Sequence, residues 1–408
     1  MKLRIVEKQL LFGVWLLFMA NMVFAMSPSH KQEMCVPPYV WQAVEHNQQR
    51  STQDIIKSLA TSPVVLLGEF HDSVLHHDWE LATITALFNQ RSSLAIGLEM
   101  LPRSAQPALD RWVRGETNEE TFLKESKWYE YWKFDAELYL PILRFARMNN
   151  IPMYGINVEQ DLKKEVKEKG WHNIPKERRD GISDPAVPSD AYLAMLASTF
   201  ALHGHGGSQT KDKKNTDLNE LKKNSGFKRF VQGQQLWDRA MAQSIEVLVK
   251  DRPERQVVAL MGSGHLMNGF GVPHQLQDLG VKSVKTLIPW EQGYDCEMLT
   301  PDLASAVYGM PELPRSSFSG RQKLGVHIEP AEKGVKVSKV VDDSLAQAAG
   351  LEKGDVLVEL AGIKIKRVIE VIDIVRKMQA GTWLPIVFLR GDKKVSIVAK
   401  FPLLEKAE

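Results

Sequence analysis

Two hydrophobic periods run along the chain, and the place where one replaces the other divides it. Up to about residue 300, short unbroken apolar runs alternate with stretches whose apolar residues recur every three or four positions, a strand–helix rhythm. Val64–Leu67 is the first such run; Gly68, Glu69, His71 and Asp72 follow it, and then a helical face of Val74, His77, Leu81, Ile84 and Phe88. Residues 93–101 form a second strand ending in Glu99, followed by a helix around 105–114 and another from Ala136 to Met148. A third strand, Ile151–Asn157, exits through Asn157 and Glu159. A long helix from Phe227 to Lys250 leads into the fourth, Gln256–Gly262, which exits through Ser263, Gly264 and His265. Strands alternating with helices predict an α/β domain with a mostly parallel sheet and helices on both faces, and unbroken apolar strands agree with burial on both sides.

Beyond the linker-like Pro311–Gly320 the pattern changes to short β runs. These are Leu324–Ile328, Val335–Val341, Val356–Glu359, Ile386–Arg390 and Lys394–Phe401, interrupted by helices at Leu345–Ala349 and Val368–Met378. The expected organisation is a signal peptide over 1–25, an α/β domain over 38–300, a linker over 301–320 and a β-rich domain over 321–403. Lys2, Arg4 and Lys8 before the apolar run Leu10–Phe24, with Val23 and Ala25 at cleavage-compatible positions, carry the first of these and predict an exported, periplasmic or envelope protein. Cys35 has no place in a lipid-anchor motif directly after that run.

Cys35 and Cys296 are the two cysteines of the chain. In an oxidising compartment they form one bridge between the ends of the first domain; otherwise they are two buried thiols. A net charge of +2, with acids and bases interspersed, supplies no field to gather nucleic acid.

The chemistry concentrates where the strands end. In a parallel sheet the exits lie on one edge, so Glu69, His71, Glu99, Asn157, Glu159 and His265 are expected to converge there. Asp72, Ser73 and Asn157 read equally well as helix caps, whereas histidine is not a favoured cap. Imidazoles and carboxylates suit zinc, manganese or iron, and a free glutamate next to them can activate water. Elsewhere, His203 and His205 among glycines read as a solvated loop or as a cover for a metal or planar ligand. Trp128–Phe134 reads as aromatic packing, with Tyr129, Tyr131, Tyr139 and Tyr154 as tyrosines within reach of a flat ligand.

The motifs Gly68-Glu-Phe-His71 with His76 and His77 after it, Leu98-Glu-Met, the run Gln234–Ala242, and Gly262-Ser-Gly-His265 with Gly271-Val-Pro occur in an order that resembles the ChaN-type haem-binding domain. That family stands in the wider Tiki, TraB and erythromycin-esterase group. The resemblance implies haem with iron held by histidine or tyrosine, shared between two protomers, with His71, His76, His77, His203, His205, Tyr154 and His265 as candidate contacts. The Tiki branch implies a metal-dependent hydrolase instead, with Glu69, His71 and His265 on zinc or manganese and Glu69 or Glu99 as base. Asp343–Gly362 resembles a bacterial PDZ domain, which implies that the loop at Leu324, Gly325 and Val326 holds the carboxyl terminus of an envelope protein's tail, with Val368 and Ile372 lining the groove. An envelope scaffold acting through the PDZ domain alone is the third reading.

Overall fold

The computed structural model describes residues 35–132, 134–202, 218–311 and 323–403. The expected signal peptide, His203, His205 and residues 312–320 of the expected linker lie outside those residues.

The first domain is built in the order β1 (Trp41–Ala43), β2 (Gln48–Arg50), α1 (Thr52–Leu59), β3 (Val64–Glu69), α2 (Val74–Gln90), β4 (Leu94–Pro102), α3 (Gln106–Val113), α4 (Glu119–Glu125), α5 (Trp128–Tyr131) and α6 (Leu140–Met148). It continues through β5 (Met153–Asn157), α7 (Gln160–Lys169), α8 (Asp190–Leu202), α9 (Leu218–Leu221), α10 (Ser225–Asp251), β6 (Gln256–Gly262), α11 (Val272–Asp278), β7 (Val284–Glu291) and β8 (Ala306–Met310). The sheet order is β2-β1-β8-β7-β3-β6-β4-β5. From β8 to β5 neighbouring strands run parallel, and β1 lies antiparallel to both β8 and β2. Every residue of β3, β4 and β6 is buried, as continuous apolar strands covered on both faces must be.

In the first domain four strands were legible by pattern and eight are present among the described residues. Ala306–Met310 lies inside the stretch read as linker, yet it pairs with β7 and β1 and belongs to the first sheet. Helix α2 also buries a face rotated from the expected one: His76, His77, Trp79, Glu80, Thr83, Ile84 and Leu87 are buried, while Val74 is exposed. Cys35 and Cys296 are joined by a disulfide, which resolves the two alternatives and ties the start of the described chain to the segment after β7.

The second domain is a six-stranded antiparallel sheet of β9 (Val326–Ala331), β10 (Gly334–Val340), β11 (Val356–Leu360), β12 (Ile363–Lys364), β13 (Trp383–Arg390) and β14 (Lys393–Lys400). Helices α12 (Leu345–Ala348) and α13 (Val368–Arg376) accompany it, and β9 is an edge strand. Leu324, Val335, Val337, Leu357, Ile386 and Phe388 belong to its own core. The two domains meet where Arg376 lies 4.9 Å over the ring of Tyr129 and Arg367 reaches Glu130 at 3.5 Å. No helix of the described residues is long and apolar enough to cross a membrane.

Candidate functional site

Strands β3 and β6 are neighbours, so their exits deliver His71 and His265 to the same edge. Glu99 joins them by a local irregularity. Strand β4 pairs with β6 only as far as Leu98, and its register against β5 shifts between Leu98 and Pro102. Glu99 is therefore inside a strand, not at its end as expected, and the bulge re-aims it. Its Oε2 accepts from the Gly262 N–H at 2.7 Å, and its Oε1 lies 3.6 Å from His265 Nε2. Asn157 supports it from β5, donating Nδ2 to the Glu99 carbonyl oxygen at 2.6 Å.

His71 rests on Glu69. Its Nδ1 is 2.7 Å from Glu69 Oε1, and the ring packs edge-on against Trp132, with centroids 4.6 Å apart, and against Phe134 at 4.9 Å. With Nδ1 committed to a carboxylate, Nε2 is the nitrogen left for a ligand, and among the described residues it has no hydrogen-bond partner. Gly262 is required beneath it, because a Cβ there would lie 2.9 Å from His71 Cε1. Burial lowers the basicity of His71, but the Glu69 hydrogen bond and charge outweigh that and raise its pKa.

Glu69 is fully enclosed. It accepts from Tyr139 Oη at 3.0 and 3.2 Å and faces His77 Nδ1 at 3.0 Å. Burial pushes its carboxyl upward, but the charge of His77 and the bonds from both histidines win and bring it down to about 2. Three donors, His71, Tyr139 and His77, thus occupy Glu69, and its lowered pKa makes it a weak base, which counts against the expected catalytic role. His77 also faces Glu80 Oε2 at 2.9 Å; burial opposes its charge, yet Glu69 and Glu80 lift it to about 10. Burial, then the charge of Glu69, push Glu80 up to about 8.

His265 is held by helix α10, within the run Gln234–Ala242. Asp238 of α10 is completely buried and bonds His265 Nδ1 at 2.6 Å, while Tyr192 donates to its other oxygen at 2.5 Å. Trp237 packs edge-on against the ring at 5.4 Å, and Lys163 Nζ lies 4.3 Å above the Trp237 ring. Burial counts against a charged His265, but Glu99 and Asp238 outweigh it and raise its pKa to about 9; burial lowers that of Lys163.

Several expected contacts are elsewhere. His76 accepts from the Phe70 amide at Nδ1, 2.9 Å away, and its Nε2 faces Glu291 at 3.3 Å, so it pins the turn after β3 and is not a ligand. Tyr154 accepts from Arg255 at 3.1 Å, just ahead of β6, and so points to the opposite, amino edge of the sheet. Tyr139 is buried against Glu69, Tyr131 donates to Glu159 at 3.2 Å, and Tyr129 is covered by Arg376. Glu69, His71 and His265 do not form a metal set: among the described residues the one group of three whose ligand atoms lie within 4.8 Å of one another is Glu69, His77 and Glu80. Glu80 and Asp238 escaped the strand-exit search because both sit on helices. The one available sign for Glu80 was an acid three residues after His77, on the same helical face.

In the second domain, Gly325 adopts φ 81°, and a Cβ there would come within 2.2 Å of Ser344 Cβ. The carbonyls of Leu324 and Gly325 accept from Ala346 at 2.7 Å and Val341 at 2.9 Å, and no described residue accepts from the amides of those two. Val326 opens the edge strand β9, and Val368 and Ile372 are half-buried on α13 beside it, while Val371 belongs to the core. That is a strand-and-helix groove with amides at its closed end.

Comparison with known proteins agrees with both halves. A family model described as haem-binding uptake, Tiki superfamily, ChaN matches residues 55–276, and a PDZ-domain model matches residues 322–400. Among solved structures the chain is similar to one described as cofacial haem binding to ChaN of Campylobacter jejuni, at 20% identity over 66% of this chain and 95% of that one, with a TM-score of 0.51, a likeness of fold. It also matches the serine endoprotease from Yersinia pestis at 28% identity over 21% of this chain and 30% of that one, with a TM-score of 0.19. No curated protein matches. With two Gly-x-x-His turns gathered around one glutamate and a peptide-groove domain behind them, the chain belongs to the ChaN haem-binding uptake family of the Tiki superfamily and carries a PDZ domain at its carboxyl end.

Proposed function

We propose that the protein binds haem at the carboxyl edge of its first sheet, with His71 Nε2 as the iron ligand. The observation that carries this is the state of His71: its Nδ1 is bound to an ionised carboxylate, a second-layer contact that orients a metal-binding imidazole and strengthens it as a donor. The four candidate tyrosines are engaged elsewhere, as are His76 and His77. The surroundings fit a flat apolar ring, since Trp132 and Phe134 flank the imidazole, and Phe70 and Val74, close to it in sequence, are exposed at 38% and 39%. Haem supplies an iron with open axial positions and a wide apolar face. A second copy of the chain covering that face makes the functional unit a homodimer.

The PDZ domain docks the protein to the carboxyl-terminal tail of an envelope protein. The Cys35–Cys296 bridge and the basic-then-apolar start support an exported, periplasmic site of action in haem and iron uptake. Titration of the purified chain with haemin tests the binding: a Soret shift saturating at stoichiometric ligand is expected, with loss in His71→Ala. Absence of a shift in the wild type, or an unchanged titration in His71→Ala, removes the reading.

A further inference from the structure

Behind His71 lies a polar cluster that haem binding does not use. Glu69 ends β3, His77 and Glu80 stand on the first turns of α2, and all three are at most 3% exposed. His77 Nδ1 faces Glu69 Oε2 at 3.0 Å and Glu80 Oε2 at 2.9 Å, and its Nε2 lies 3.4 Å from the His71 carbonyl oxygen. One ring nitrogen thus serves two carboxylates. The remaining Glu80 oxygen, Oε1, is buried with no hydrogen-bond partner.

Protons alone leave Glu80 Oε1 unpaired. With both carboxylates ionised, they share the one Nδ1–H of His77, and even a cationic imidazole offsets only one of their two charges. With Glu80 protonated at Oε1, its hydroxyl is a buried donor without an acceptor. A divalent cation removes both problems, because it balances two carboxylates and takes the Nδ1 lone pair. The contact from Nε2 to a backbone carbonyl is the second-layer arrangement that selects that tautomer.

We propose that Glu69, His77 and Glu80 hold a divalent cation, with zinc the best match to one imidazole and two carboxylates and manganese next. It is a closed, structural site that ties the end of β3 to the start of α2. Tyr139 and His71 both bond Glu69 and fix its orientation from outside the site. This inference goes beyond the haem reading and does not depend on it.

The test uses the full chain, stripped by chelator, reloaded in parallel with zinc chloride or manganese chloride, desalted and counted for metal. About one cation per chain is expected, with a higher thermal midpoint than the stripped protein and an X-ray absorption spectrum of nitrogen and oxygen neighbours only. Glu80→Gln and His77→Gln are expected to lose the bound metal, whereas His265→Ala keeps it, because His265 bonds none of the three. Metal retained in a wild type that shows no Soret shift sinks the haem reading alone. The cation site is overturned if the wild type retains no metal, if Glu80→Gln and His77→Gln retain it, or if only His265→Ala loses it. Should those two variants not fold, an absorption spectrum lacking a single imidazole in the loaded wild type also overturns it.

Discussion

Gly262 shows how little room the site leaves. A methyl group there meets the His71 ring at 2.9 Å, closer than real Cβ contacts come. Gly262→Ala is expected to tilt that ring off Glu69 and weaken haemin binding by about tenfold, the size of a lost second-layer contact; an unchanged Soret titration would count against His71 as the ligand. His265 carries a pH signature. Its pKa is raised from an ordinary 6.5 to about 9 against the opposing effect of burial, chiefly by Glu99 and Asp238, with Lys163 pulling the other way. A raised value means that the stabilisation is complete below pH 6.5 and disappears as pH climbs through 9. The thermal midpoint should fall between pH 7 and pH 10, and fall less in Asp238→Asn; parallel curves for the two proteins would show that the pair does not couple to folding. His71 and His265 were legible because each lies in the turn just past an apolar strand, and Glu99 because it is an acid within an apolar run, although the strand continues beyond it. Tyr154 misled because a residue within a strand can serve either edge of the sheet, and its partner Arg255 lies at the amino one.

At the scale of elements, the parts that were hard to read are those with no period to show. Strands β1 and β2 have three residues each and β12 has two, and the face of α2 was misplaced because its buried side carries two histidines and a glutamate where a pattern search expects apolar groups. The same scale governs the PDZ groove. Its edge strand β9 begins at the turn that Gly325 makes with a positive φ, so Gly325→Ala has both strain and a collision with Ser344 to absorb. We expect this variant to lose on the order of 1–3 kcal/mol of stability and most of its affinity for peptides with a hydrophobic carboxyl terminus. Fluorescence anisotropy with such a peptide checks this, and wild-type binding by the variant would mean that the turn is not the carboxylate seat. Trp132, 6% exposed, is both core and wall to His71. Trp132→Ala should cost about 3–5 kcal/mol in chemical denaturation, and a loss below about 1 kcal/mol would show that the segment from α5 onwards is not part of the cooperative core.

For the whole molecule, the division into an α/β unit and a β-rich unit was readable from the change of hydrophobic period, whereas the contact between the units was not. That contact rests on Arg376 over Tyr129 and Arg367 against Glu130, long side chains whose partners no periodicity announces. The bridge is the larger constraint. Cys35 and Cys296 are 261 positions apart, so opening it frees the two ends of the first domain from one another. Cys296→Ser should lower stability by about 2–5 kcal/mol, and a reductant should reproduce the loss in the wild type without adding to it in the variant. Denaturation curves that coincide with and without reductant would show that the crosslink carries no stability.

The same pairing governs how the protein matures. With two cysteines in the chain, oxidation has a single intramolecular product, so an oxidant suffices and no shuffling enzyme has a wrong partner to undo. Because the second thiol comes so late, the crosslink cannot close until nearly the entire first domain has been made.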